Sequence, residues 1–199
     1  METVRTFIAI ELPTAVHNAL ASAMTTLRAA DAVAALSVKW VDVHSIHLTL
    51  KFLGETPVDK LAAIGAALTS AASSSAPLPL SLARAGCFPN PRQPRVLWVG
   101  VAGDLNGLAH LQAAIERTVS PLGFPTEARP FSPHLTLGRV RDDATADSRQ
   151  RLGAAVLALH TPPVEFTAAS VCLMRSDLRP GGAVYTRLAV AALQVAASA

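Results

Sequence analysis

A six-residue pattern that occurs twice constrains the fold of this chain more than any other feature. The first copy is residues 45–50, with the sequence SIHLTL, and the second is residues 132–137, with the sequence SPHLTL. Because successive side chains of a strand point to opposite faces, this alternation predicts two β-strands. In each strand the leucines face a core, while a histidine (His47 or His134) and the threonine two positions later share the other face.

Both halves of the chain show the same order of predicted elements: a strand, a helix, the histidine strand, a second helix and a further strand. The first strands are predicted at residues 6–12 and 95–101. The second helix begins at Thr56 in one half, with the threonine as N-cap and a proline after it, and near Asp143 in the other. Duplicated units of this kind usually pack about a pseudo-two-fold axis, which would set the two histidine strands side by side with their imidazoles facing each other.

A proline-rich connection, residues 86–95, is interpreted as the boundary between two lobes of a single domain that covers residues 1–199. Asp104 is predicted to cap the helix that follows the boundary. Strands at residues 164–174 and 183–190 are predicted near the end of the chain, joined by a turn at residues 179–182.

The composition argues against several classes of protein. With 51% hydrophobic and 16% charged residues, the chain can bury a sizeable core and is not expected to be disordered. The first residues do not resemble a signal peptide, and residues 190–199 are too few to span a bilayer, so a final strand with a loose end is predicted there. Cys87 and Cys172 are expected to be reduced thiols, too few for a thiolate metal site. We therefore expect a cytoplasmic protein without membrane contact.

Arginine dominates the positive charge of the chain. The net charge is +3, and 14 of the 17 basic residues are arginines. Arginine presents a planar fork of donors that suits phosphate, so this bias is consistent with an anionic substrate. It is equally consistent with the codon bias of the source genome, to which the high alanine content also points.

The repeated histidine is the candidate for catalysis. An imidazole has a pKa near neutral pH, so two imidazoles in one cleft can act as general acid and general base. In-line displacement at phosphorus needs such groups on opposite sides of the phosphate, and the threonine hydroxyls can donate to its oxygens. A single copy of the pattern would more often be an ordinary exposed strand histidine. A metal site is disfavoured because no carboxylate lies beside either histidine in the sequence.

The sequence resembles the two-histidine phosphoesterase superfamily, which is defined by two His-x-Thr motifs. Within it, the chain is most similar to the RNA 2',3'-cyclic phosphodiesterases, historically called 2'-5' RNA ligases. The resemblance covers nearly the whole chain. The matching segments are RTFIAI from Arg5, HLTLKFLGE from His47, GCFP from Gly86, PRVLWVGV from Pro94, PHLTLGR from Pro133, RSDL from Arg175 and GAVY from Gly182.

This resemblance implies an α+β fold with two lobes, in which two antiparallel sheets flank a central cleft and helices lie outside. It implies hydrolysis of a terminal 2',3'-cyclic phosphate to a 2'-phosphomonoester, with no metal or other cofactor, and reversible 2'-5' ligation at the same site. By resemblance His47 is the general acid and His134 the general base, while Thr49 and Thr136 hold the phosphate. The implied partner is RNA with a cyclic phosphate end, tRNA fragments included, bound by a monomer.

Further residues are weaker candidates for substrate binding. Lys51 shares the strand parity of His47, although a solvated strand end is an equally simple interpretation. Arg139 has the opposite parity from His134 unless the strand bulges at Gly138. Three aromatic residues could stack on a base or lie in the core, and the two tryptophans are interpreted as core. These are Phe7, Phe88 and Tyr185, and Trp40 and Trp98.

Two other functions remain open on the sequence. The chain could act on small cyclic phosphates or on 2'-5' oligonucleotides, which a narrow cleft would favour. It could also be an RNA-end-binding protein without catalysis, which is disfavoured because both histidines and both threonines are intact.

Overall fold

Two antiparallel sheets form the frame of the molecule. The computed structural model describes residues 2–179 and 182–194; residues 180 and 181 of the predicted turn and residues 195–199 of the predicted loose end lie outside the described residues. The strands are β1 (Thr3–Ile10), β2 (Val38–Trp40), β3 (Leu48–Pro57), β4 (Leu78–Phe88), β5 (Val96–Gly103), β6 (His134–Val140), β7 (Glu165–Ala168), β8 (Ser170–Arg179) and β9 (Gly182–Ala192). The helices are α1 (Thr14–Ala30), α2 (Ala32–Ala35), α3 (Leu61–Ala72), α4 (Leu105–Val119) and α5 (Ala146–Ala158).

The two sheets have corresponding strand orders. The first sheet is ordered β3-β1-β8-β9, and the second is ordered β2-β6-β5-β4-β7. Without the short edge strand β2, the orders match strand for strand: β3 with β6, β1 with β5, β8 with β4, and β9 with β7. The duplication that the sequence predicts is therefore present in the sheets, and the α+β class with two antiparallel sheets is confirmed.

Each half of the chain contributes its last strands to the sheet of the other half. Strand β4 ends the first half but pairs with β5 and β7 in the second sheet, and β8 pairs with β1 in the first sheet. Residues 89–95, which the sequence analysis assigns to a boundary between lobes, join two neighbouring strands of one sheet. The two sheets therefore do not correspond to the two halves of the chain.

A continuous apolar core packs the helices against one face of the sheets. Helix α1 buries Val16, Leu20, Met24 and Leu27, as its spacing predicts. Asp104 caps α4 as predicted, because its carboxylate accepts a hydrogen bond from the Gly107 amide at 2.8 Å. Within the described residues, no helix is long and apolar enough to cross a membrane.

Two local predictions are wrong. Thr56 does not cap a helix, because β3 continues through it and its buried hydroxyl lies 2.7 Å from that of Thr6; α3 starts only at Leu61, after a 3-10 turn at Val58–Lys60. The strand predicted at residues 164–174 is divided into β7 and β8, which belong to different sheets.

Candidate active site

The same backbone contact holds both repeated histidines. Nδ1 of His47 lies 2.9 Å from the carbonyl oxygen of Ser45, and Nδ1 of His134 lies 2.7 Å from that of Ser132. A carbonyl oxygen can only accept, so in each ring Nδ1 carries the hydrogen and donates it. The other ring nitrogen, Nε2, is therefore left for a substrate, and its protonation state is that of the imidazole as a whole.

Aromatic side chains form the walls behind both imidazoles. The His47 ring stacks on Phe7 with centroids 4.5 Å apart and meets the edge of Tyr185 at 5.1 Å. The His134 ring meets Phe88 at 5.0 Å and Trp98 at 6.4 Å. Phe7 and Tyr185 belong to a small cluster on the sheet face opposite the main core. Each histidine therefore lies on the face of its sheet that points away from the helices.

A β-bulge occurs at the same place in both histidine strands. The pairing of β3 with β1 skips Leu50, and the pairing of β6 with β5 skips Leu137. Each leucine lies three positions after its histidine. A bulge adds one unpaired residue and reverses the alternation of side chains beyond it. The residues on the cleft face are thereby the histidine, the threonine two positions later, and the residue five positions later.

In β6 the bulge brings Arg139 to the cleft. Arg139 pairs with Val96 and Thr136 pairs with Trp98, so both side chains share the face of His134. This placement needs a bulge, for which the sequence indicates Gly138 as the site; in the structure the bulge lies one residue earlier, at Leu137. Arg139 also acts across the cleft: burial raises the pKa of Tyr185 in the other sheet, and the charges of Arg139 and Arg5 oppose that rise. Strands β3 and β6 contact one another without pairing in one sheet.

In β3 the bulge removes Lys51 from the cleft, so its assignment to substrate binding is wrong. Lys51 pairs with Ile8 on the core face and is 6% exposed. Its ammonium forms an ion pair with the buried Glu116 of α4 and donates to the carbonyl oxygen of Pro125 at 2.8 Å. This lysine joins β3 to α4 and to the segment that leads into β6.

Phe52 occupies the position on the cleft face that strict alternation from His47 predicts for Lys51. It pairs with Phe7 on the cleft face and is 69% exposed, whereas Phe7 and Tyr185 are covered by His47 and by each other. Phe52 is not among the candidates that the sequence indicates, and Trp98, which its sequence context predicts to be core, lies beside His134. The signal for Phe52 is its match to Arg139, since each lies five residues after its histidine.

The two imidazoles differ in their surroundings. Burial lowers the pKa of His47, while its hydrogen bond to Ser45 and the negative charge of Glu11 act in the opposite direction. Glu11 is held by Arg187 at 2.8 Å and accepts a hydrogen bond from the thiol of Cys172. The thiol is itself buried, and burial is the main cause that raises its pKa to about 12.

No cluster of three or more histidine, cysteine, aspartate or glutamate side chains that could hold a metal ion occurs in the part of the chain that the structure describes. Near His47 the acidic neighbour is Glu11, which is engaged by Arg187 and Cys172. The polar groups that β3 and β6 direct to the cleft face include imidazole, hydroxyl and guanidinium groups.

A comparison with protein families identifies the superfamily to which the chain belongs. The sequence profile of the 2'-5' RNA ligase superfamily matches residues 15–180, which include both histidine motifs. The chain belongs to the 2'-5' RNA ligase superfamily. The resemblance that the sequence analysis states is thereby confirmed.

Similarity to individual members of this superfamily extends over almost the full chain. An RNA 2',3'-cyclic phosphodiesterase of Methanothermobacter thermautotrophicus is 34% identical over 188 residues, covering 94% of this chain and 97% of the relative. A second, from Thermus thermophilus, is 34% identical over 193 residues, covering 92% and 87%. These matches and the superfamily membership make the chain a hydrolase of phosphodiester bonds.

Solved structures of the superfamily share the fold. A crystal structure of a Thermus thermophilus protein superimposes with a TM-score of 0.75 at 32% identity, covering 95% of this chain and 97% of the other. That of E. coli LigT in complex with 3'-AMP superimposes with a TM-score of 0.73 at 26% identity, covering 96% and 99%.

The buried ion pair of Lys51 generates a prediction about stability. Lys51→Met leaves the Glu116 carboxylate buried without its cation, and breaking a buried pair in this way costs about 3–5 kcal/mol of unfolding free energy. Urea unfolding monitored by circular dichroism measures this loss. The double variant Lys51→Met/Glu116→Leu is expected to recover most of it, because no unpaired charge remains.

A measurement of activity shows whether Lys51 has any role in catalysis besides its structural one. We expect kcat/KM of folded Lys51→Met to stay close to that of the unmodified protein, since Lys51 does not face the cleft. A variant that kept its stability and lost turnover would place Lys51 in the reaction instead.

Proposed function

We propose that this protein hydrolyses the 2',3'-cyclic phosphate at the end of an RNA to a 2'-phosphomonoester, without a metal ion. The observation that carries the proposal is the matched pair His47 and His134. Each is held at Nδ1 by the carbonyl two residues before it and presents Nε2 on a cleft face. The RNA 2',3'-cyclic phosphodiesterase names of the relatives support the same substrate.

In the proposed reaction His134 is the general base. Its neutral Nε2 accepts a proton from water as the water oxygen attacks phosphorus, and the P–O3' bond breaks on the opposite side. His47 is the general acid, and its Nε2–H gives a proton to the departing O3'. The net change is addition of one water across the P–O3' bond, which leaves the phosphate on O2'. The resemblance supports this assignment of roles, and the negative charge of Glu11 favours the protonated form of His47 that a general acid needs.

The remaining polar groups of the cleft stabilise the charge on phosphorus. Thr49 and Thr136 each lie two residues after a histidine on the same face, so their hydroxyls can donate to the non-bridging oxygens. Arg139 adds a permanent positive charge that suits the anionic phosphate. Lys51 has no part in this set, because it is committed to Glu116.

The exposed ring of Phe52 offers a stacking surface for a nucleobase, which every base can use through its π-face. The E. coli LigT structure holds 3'-AMP, which supports a nucleotide as the ligand of such a cleft.

In the reverse of the hydrolysis, attack of an RNA 5'-hydroxyl on the cyclic phosphate would give a 2'-5' linkage. Water at its bulk concentration favours hydrolysis.

A product assay in the presence of EDTA tests the proposed function. An RNA that ends in a 2',3'-cyclic phosphate should be opened at the same rate with and without chelator. The product should resist a 3'-specific phosphatase because its phosphate is on O2'. A 3'-phosphate product would reverse the orientation of the site, and loss of activity that one divalent ion restores would replace the metal-free mechanism.

Substitution of the histidines tests their roles. His47→Ala and His134→Ala should each lower kcat by on the order of 10²- to 10⁴-fold, the usual effect of a positioned proton-transfer group. RNA-end binding should largely persist. With a substrate whose leaving oxygen is much more acidic, His47→Ala should recover much of its rate, while His134→Ala should not. Rescue of the His134 variant alone would exchange the two roles.

The charge of Glu11 gives a second test of the acid. Glu11→Gln removes the negative charge that favours the imidazolium, so the pKa of His47 should fall further, as NMR titration of the ring would measure. A general acid above its pKa is protonated in proportionally fewer molecules, so kcat/KM at neutral pH should fall severalfold. Glu55→Gln, at an exposed glutamate of the same sheet, is the control and should leave both values unchanged. A fall in the pKa without a fall in kcat/KM would contradict the acid role.

A further inference from the structure

A basic groove lies outside the cleft, between the β4–β5 connection and the start of α5. Its volume is about 630 Å³. Three arginines, two glutamines and one aspartate supply its polar lining: Arg92, Arg95, Arg149, Gln93, Gln150 and Asp142. Neither the superfamily match nor the proposed chemistry gives this groove a role.

Contacts between its two walls fix the shape of the groove. The Arg149 guanidinium donates to the carbonyl oxygens of Pro94 at 2.9 Å and Arg141 at 2.8 Å, so it ties the β4–β5 connection and the end of β6 to α5. Gly153 of α5 lies so close to Pro91 that an added Cβ would overlap the Pro91 carbonyl. The two walls of the groove are therefore held against one another.

The positive charge of the groove is not neutralised by ion pairs. Across residues 2–179 and 182–194, the arginines that form ion pairs with carboxylates lie elsewhere: Arg129, Arg151, Arg175 and Arg187. Arg92 and Arg95 are exposed and Arg149 is half-buried. Asp142 is one negative charge against three positive charges. A concave surface with this balance attracts polyanions, and guanidinium groups suit phosphate oxygens.

The groove lies at the same end of the second sheet as Arg139, because Arg95 lines it and Val96, the next residue, pairs with Arg139. Arg139 lies on the cleft face at the far end of β6 from His134, and the next amide, that of Val140, donates to the carbonyl of Arg95 at 2.9 Å. Val96 shares the face of Arg139, so Arg95 projects to the other face, where it lines the groove with α5. From Gly100, opposite His134, to Val96, opposite Arg139, strand β5 advances by four residues, or roughly 14 Å at 3.4 Å per residue. A mononucleotide in the cleft does not reach the groove, whereas an RNA strand of several nucleotides does.

We propose that this groove binds the phosphodiester backbone of the RNA several nucleotides away from the reacting end. The proposal rests on the function proposed above, because it takes the cyclic phosphate to lie between His47 and His134. Arg92 and Arg95 contact the backbone phosphates, while Arg149 shapes the wall and adds charge. The groove thereby makes affinity depend on substrate length without changing the chemistry at the end of the strand.

Steady-state kinetics with two substrates test the groove. Both RNAs end in a 2',3'-cyclic phosphate; one is a dinucleotide and the other a single strand of about 12 nucleotides, a length that a single-strand binding site covers. For Arg92→Gln/Arg95→Gln we expect KM of the longer RNA to rise on the order of tenfold, since two charge-assisted contacts are lost. We expect kcat to be unchanged for both RNAs, and KM of the dinucleotide to be unchanged. Arg117→Gln, at an exposed arginine of α4, should change none of these values.

Two further measurements support the test: the salt dependence of binding, and a substitution that makes the groove more positive instead of less. Loss of two phosphate contacts should reduce the slope of log K against log salt by about 1.4, at roughly 0.7 per contact for a single strand. Asp142→Asn removes the one negative charge of the groove and should lower KM of the longer RNA. The adjacent Asp143→Asn is the matched control, since Asp143 does not line the groove.

Two results would overturn the proposal. One is an equal rise in KM for both RNAs, which would mean that the arginines act on the reacting end. The other is no rise with either RNA, which would mean that the backbone passes elsewhere. The proposed function can fail independently. In that case the protein leaves the dinucleotide intact, and fluorescence anisotropy with a 12-mer that ends in a hydroxyl still measures whether Arg92 and Arg95 bind the strand.

Discussion

The extra residue three positions after each histidine, Leu50 in β3 and Leu137 in β6, determines what the cleft contains. Without the bulges at Leu50 and Leu137, strict alternation would direct Lys51 and Gly138 into the cleft and would turn Phe52 and Arg139 toward the core. With them, the cleft gains an exposed aromatic ring on one side and a guanidinium on the other. The ammonium of Lys51 is freed to join β3 to α4. Catalytic geometry and core packing therefore depend on the same local irregularity.

The two halves of the site share a frame but not an environment. The carbonyl contact, the threonine and the bulge recur in both, so each histidine presents the same nitrogen in the same orientation. The neighbours differ: Phe7, Tyr185 and the charge of Glu11 surround His47, while Phe88 and Trp98 surround His134. Acid and base chemistry at one phosphate needs two unlike proton affinities, and a duplicated frame with different neighbours can supply them.

The sequence predicts those features that short-range patterns encode. Alternation around His47 and His134 locates both strands, and the repetition distinguishes them from ordinary strand histidines. Asp104 as a cap follows from its position before an apolar helix. Alternation alone does not predict the positions of Lys51 and Phe52, because a bulge depends on the register with a partner strand and not on the strand itself. The prediction that Thr56 caps a helix is wrong for a related reason: its hydroxyl bonds with that of Thr6, some fifty residues away in the chain.

The exchange of strands between the two sheets has a consequence for how the chain is made. Strand β1 stands in its sheet between β3, which is translated soon after it, and β8, which is translated near the end. The first sheet is thus incomplete until the C-terminal strands leave the ribosome, and the first half of the chain exposes the unpaired edge of β1 until then. Contacts that join such distant segments slow folding and prolong exposure to aggregation. For this protein, translation of the first half does not yield a finished folding unit.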